Sequence, residues 1–140
     1  MPRLGSTSLE QLLVLTILGI LAALTLSGGA PLLEAVAVET AARESTALFA
    51  LARDHALSAG ERTAVHLDRA GGRVIVHAGP DTLATADFTQ RGVRLTATRD
   101  SMAYAANGLG VGGANLRLVL SRGRRADTIN VSRLGRVEWR

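Results

Sequence analysis

The chain contains no cysteine and no lysine. Without thiols, no disulfide framework, thiolate zinc cluster or thiol nucleophile can be built. Without lysine, all sixteen basic residues are arginine, whose planar fork suits specific pairing with carboxylate or phosphate. Other absences narrow the chemistry further. No loop alternates Asp and Asn in the manner of a calcium site. No nucleophile-elbow serine or triad spacing is present. His55, His66 and His77 recur at intervals of eleven residues, with no His-x-x-x-His and no carboxylate-flanked pair. The sequence therefore points to no metal, no cofactor and no enzymatic activity.

One motif matches only in form. Gly108-Leu109-Gly110-Val111-Gly112-Gly113 satisfies G-x-G-x-x-G. A dinucleotide site needs a strand before that pattern and a helix after it, so that the helix N-terminus receives the pyrophosphate. Here a strand-like run follows, and a loop between strands is expected.

What the chain does have is an uncharged run, Leu12 to Leu26, with Glu10 standing at its entrance. An ionised carboxylate costs roughly 2.5–3.5 kcal/mol at the centre of a membrane helix, less at the interface, and it usually persists beside a partner. Three readings of residues 1–31 fit the residues. A secretory signal peptide could end at Thr25-Leu26-Ser27. A plain membrane anchor would be short for a hydrocarbon core of about 30 Å. A helix that stays in the mature protein and uses Glu10 in assembly is the third.

Ser27-Gly28-Gly29-Ala30-Pro31 predicts a break in the helix, since glycine costs about 1 and proline about 3 kcal/mol in a helix interior. Helix is expected to resume over 32–60. Val38, Ala41, Leu48, Leu51, Ala52 and Ala56 form an apolar stripe, Glu39 and Arg43 a favourable i,i+4 pair, and Gly60 a stop. Short β-rich runs then follow at Thr63–Leu67, Arg73–His77, Val93–Thr98, Leu116–Leu120, Thr128–Val131 and Arg136–Trp139. One long helix followed only by strands reads as α+β, with the helix laid on a small antiparallel sheet.

The charge is uneven. Residues 115–140 hold seven arginines against Asp127 and Glu138, whereas residues 1–114 hold nine against ten acids. Arg133, Arg136, Trp139 and Arg140 close the chain. Arginines neutralise phosphate and an indole can stack on exposed bases, which makes these four a candidate DNA-binding set. Glu138 interrupts it, and a turn into a last strand explains the same residues equally well.

Gly5-Ser6-Thr7-Ser8-Leu9-Glu10, followed at once by the apolar helix, resembles the prepilin signal of type IV pilins and type II secretion pseudopilins. That resemblance implies a leader at 1–5 and cleavage between Gly5 and Ser6 by prepilin peptidase. It also implies N-methylation of Ser6, where the family usually has an apolar residue. It makes 6–26 the transmembrane half of the helix, 27–31 a break, and 61–140 a periplasmic β-rich domain. Glu10 would pair with the N-terminal amine of a neighbouring pilin, in the bacterial inner membrane and then in a filament. Leu51-Ala52-Arg53-Asp54-His55-Ala56, Ala106-Asn107-Gly108 and Ile129-Asn130-Val131-Ser132-Arg133-Leu134-Gly135-Arg136-Val137 further resemble the GspH/FimT branch. That branch implies a minor pilin or pseudopilin. Its partners would be other pilins, prepilin peptidase, inner-membrane lipid and, in a FimT-like alternative, DNA taken up in natural transformation.

Overall fold

The computed structural model describes residues 7–111 and 115–140, with the backbone alone at 24–28. The chain falls into two compact units, Met1–Leu33 and Glu34–Arg140. Helix α1, Ser8–Ala59, begins in the first unit and ends in the second.

In the first unit, α1 exposes nearly every described apolar side chain. Leu9, Leu12, Leu13, Leu15, Leu18, Ile20 and Leu21 are each more than half exposed. Thr16 sits among them with its hydroxyl donating to the Leu12 carbonyl at 2.7 Å, so its polar atom asks nothing of the surroundings.

The expected break at 27–31 is not there: α1 is helical throughout, with Pro31 inside it. Proline removes one i→i−4 hydrogen bond and crowds the carbonyl four residues back. Helix propagation is cooperative, however, and long helical flanks on both sides carry the chain across a single missing rung. The end of the helix falls where expected. Gly60 follows Ala59 with φ +68°, the left-handed conformation that stops a helix at little cost to glycine.

In the second unit, α1 buries Val38, Ala41, Ala42, Leu48, Phe49, Ala52 and Ala56. Leu51, expected in this stripe, is 42% exposed. Each residue advances roughly 100° around a helix, which puts Leu51 on the flank beside Ala52 and brings Phe49 inward beside Leu48. Glu39 and Arg43 pair on the outer side as expected.

The strands are β1 (Thr63–Asp68), β2 (Arg73–Ala78), β3 (Asp81–Asp87), β4 (Arg94–Ala97), β5 (Ser101–Tyr104), β6 (Gly110–Val111), β7 (Leu116–Arg122), β8 (Arg125–Val131) and β9 (Val137–Trp139). Among the described residues they form two antiparallel sheets, ordered β3-β2-β1-β5-β6 and β4-β7-β8-β9. The expected antiparallel β-domain is thus built from two sheets. The chain passes from the second sheet to the first between β4 and β5, where the Leu67 N–H donates to the Asp100 carbonyl at 2.7 Å.

One hydrophobic cluster draws on α1 and both sheets, including Phe49, Val65, Leu67, Val74, Val76, Leu95, Tyr104, Leu118, Leu120 and Ile129. In β7, Leu116, Leu118 and Leu120 point inward while Arg117 points out, as the alternation predicts. Polar links then fix α1 along its length: Glu34 to the Arg124 N–H, Glu44 to Arg91, Arg53 to the Gly108 carbonyl and His55 to Thr63.

Candidate functional site

Two regions carry the expected site residues, one at each end of the chain. Glu10 lies in the first turn of α1, exposed, with its N–H donating to the Thr7 carbonyl at 2.9 Å. A carboxylate suits a helix N-terminus, where unpaired N–H groups and the macrodipole favour negative charge. Past it the sequence has no further charge to Leu33, and the described leucine, valine and isoleucine side chains are exposed. Gly5 and Ser6 lie outside the described residues. Among the described residues no helix is long and apolar enough to cross a membrane.

At the other end, the four candidates do not form one cluster. Ser132-Arg133-Leu134-Gly135 is the turn between β8 and β9, closed by the Gly135 N–H donating to the Ser132 carbonyl at 3.0 Å. Arg133 is exposed there. Arg136 leaves the turn with its Nε 3.5 Å from Glu138, on a side chain 76% exposed. The N–H of Arg140 donates to the Thr128 carbonyl and the Arg140 carbonyl accepts from the Thr128 N–H, both at 2.9 Å, prolonging the β9 pairing.

Successive strand residues face opposite ways, so Arg136, Glu138 and Arg140 share the outer face and Trp139 faces the other. The Trp139 Nε1–H donates to Asp127 at 3.2 Å, and the Arg43 guanidinium from α1 lies 5.9 Å from the ring centroid. A cation near the ring and a bonded indole N–H tie Trp139 between β9 and α1, with 40% of the residue still exposed. Arg117 was not among the candidates, yet it joins their outer face, because it pairs with Asn130, which pairs with Glu138. Only the strand register reveals that, and register is not visible in local sequence.

The three weaker sequence segments, in contrast, converge. Arg53 near the end of α1 donates from Nε to the Gly108 carbonyl at 3.2 Å. Gly108 has φ +71° in the β5–β6 turn, and a Cβ there would meet Leu57 of α1 at 3.0 Å. The Gly110 N–H donates to the Arg133 carbonyl at 3.0 Å, which joins that turn to the β8–β9 turn. Gly135 seals the junction with φ +74°; a Cβ on it would stand 2.6 Å from the Gly108 oxygen and 3.1 Å from Tyr104. Helix end, Asn-Gly turn and Arg-Leu-Gly-Arg turn thus make one clasp. The GspH family model, described as "Type II transport protein GspH", matches residues 41–135, which span all three.

The chain belongs to the GspH family. Among solved structures it is similar to the type IV minor pilin FimU of Pseudomonas aeruginosa, with TM-score 0.64 and 18% identity over 74% of this chain and 87% of that one. It is also similar to the minor pseudopilin EpsH from the type 2 secretion system of Vibrio cholerae, with TM-score 0.60 and 11% identity over 74% of this chain and 95% of that one. At these identities the likeness is one of fold. No curated protein matches the chain. Of the other sequence-level features, Gly108–Gly110 turn between strands as expected, although Gly112 and Gly113 lie outside the described residues. Among the described residues no group of three metal-ligating side chains comes together.

Tyr104 lines the clasp and is fully buried, with a hydroxyl that finds no partner among the described residues. Burial pushes that hydroxyl up from 10.0 to about 12. Because the folded value lies above the unfolded one, the contribution is fully present below about pH 10 and lost as pH rises through about 12. Alkaline titration followed by circular dichroism is expected to show unfolding in that window, and Tyr104→Phe to shift it upward. Equal alkaline midpoints for the two proteins would remove the hydroxyl from the account. Gly135→Ala is expected to lower stability by about 2 kcal/mol or more, from the left-handed backbone and the Gly108 clash together, read as a lower urea midpoint.

Proposed function

We propose that the chain is a minor pilin or pseudopilin, a non-catalytic subunit of a type II secretion pseudopilus or a type IV pilus. Membership of the GspH family carries this reading, and the exposed apolar face of α1 with its lone carboxylate supports it. On this reading prepilin peptidase cleaves after Gly5 and methylates Ser6. The apolar helix half over 6–26 then holds the chain in the inner membrane by a single pass, with the β-domain in the periplasm. On assembly, α1 moves among the helices of other pilins.

Glu10 is the specific element in that step. Between packed apolar helices, a carboxylate without a counter-charge is costly, so it favours the register that brings it to a neighbour's N-terminal amine. Removing one partner of such a pair strands the other, at about 3–5 kcal/mol. Glu10→Val is therefore expected to leave membrane association unchanged and to abolish co-purification with partner pilins after crosslinking. Normal recovery of partner pilins with this variant would defeat the pairing argument.

A FimT-like, DNA-binding role is the second reading. Arg136 and Arg140, with Arg117 beside them, favour it, since all three are exposed on one sheet face. Trp139 stands on the opposite face, bonded to Asp127 and beside Arg43. Duplex binding titrated across salt should weaken with a shallower salt slope when Arg117, Arg136 and Arg140 are changed to alanine. Equal slopes in the two proteins would leave the filament role alone.

A further inference from the structure

The strongest concentration of unpaired positive charge lies at the opposite end of the β7–β8 hairpin from Arg133 and Arg136. The hairpin turn is Arg122-Gly123-Arg124-Arg125, and register places Arg94 of β4 opposite Ser121 beside it. Arg94, Arg124 and Arg125 are exposed, and Arg122 is half-buried, donating from its guanidinium to the Arg91 carbonyl at 2.7 Å. None of these four takes part in an ion pair among the described residues, whereas nearby Arg91 is paired with Glu44.

What fixes this turn in place is Glu34. Its carboxylate accepts from the Arg124 N–H at 3.3 Å, and a Cβ on Gly123, where φ is +55°, would run into that carboxylate. Glycine at 123 thus lets the turn close over an acidic side chain of α1. Glu34 is the first residue of the β-domain unit and directly follows Leu33, the last residue of the uncharged run Gln11–Leu33.

We propose that this arginine turn docks on anionic phospholipid headgroups at the surface of the bilayer that holds the chain's own apolar helix half; the proposal rests on the reading of that half as a membrane anchor. A helix rises 1.5 Å per residue, so Glu34 stands roughly 12 Å along α1 from residue 26, where the anchor half ends, and the headgroup region covers about half of that distance. The turn that touches Glu34 is then within a Debye length, about 10 Å, of the phosphate layer. Each arginine near an anionic surface favours the docked state roughly fivefold, so three exposed ones separate docked from undocked by about a hundredfold.

The lack of cysteine gives a clean test on the full chain, because Ala126→Cys, exposed beside Ser121, supplies a single labelling position. Energy transfer from a dye there to acceptors on lipid headgroups is measured in nanodiscs of phosphatidylcholine, alone or with roughly one-third phosphatidylglycerol. Transfer is expected to rise with phosphatidylglycerol and to fall back in high salt. It should be lost when Arg94, Arg124 and Arg125 become glutamine, and be largely kept when they become lysine. Three results would overturn the proposal: equal transfer in both lipids, equal loss in the glutamine and lysine variants, or a response only to an added partner pilin. The last would assign the turn to a protein interface. Carbonate-resistant association with phosphatidylcholine vesicles reports the anchor separately. If wild type fails that assay, the anchor reading and this proposal fall together; if it passes and transfer does not respond, the proposal alone falls.

Discussion

Close approach of α1 to the sheets is the constraint on which the domain depends. Ala41, Ala42, Ala52 and Ala56 are each fully buried, and only such short side chains let a helix lie near enough for Phe49 to reach between the sheets. The sheets reciprocate with leucine, valine and isoleucine from β1, β2, β7 and β8 in the same cluster. Small residues on one surface and large ones on the other is the usual way to reach dense packing without voids. With the helix held by shape, the links at Glu34, Glu44, Arg53 and His55 need only set its position along the sheets.

The same helix explains why half of it looks unfinished. Beyond Glu34 one face of the helix is buried in the domain, through Val38, Ala41, Ala42, Leu48, Phe49, Ala52 and Ala56; before it, none of the described leucines is buried. A surface of that kind is stable only against lipid or against other helices of similar character. Family membership and this surface agree on a subunit whose folded domain is complete and whose helix is not.

Much of this was legible in the sequence. The end of α1, Glu39 with Arg43, and the alternation of Leu116, Leu118 and Leu120 were read from period and spacing, since each depends only on neighbours along one element. The misses have a common cause. Strand β3, Asp-Thr-Leu-Ala-Thr-Ala-Asp, buries only Ala86 and carries no alternation to find; β5 and β6 are too short to show one. Leu51 is adjacent to the stripe through Leu48, but its angular position around the helix puts it on the flank and Phe49 inward. Pro31 was read as a local breaker, where cooperativity across a long helix overrode local propensity. Trp139 looked free beside three arginines because its true neighbours, Arg43 and Asp127, come from other elements. Clustering of Arg94 with Arg122, Arg124 and Arg125 likewise exists only once β4 is paired with β7.

The clasp has a consequence for the order in which the domain forms. Its first contributor is Arg53 and its last Gly135, with Gly108 between them. Contacts so distant along the chain carry a large loop-closure cost and form late, so domains built on them fold slowly and in one cooperative step. The end of α1 therefore stays unsecured until the final hairpin arrives. A subunit interrupted before that point would present its helix without the cap that locks it, which ties readiness for assembly to completion of the fold.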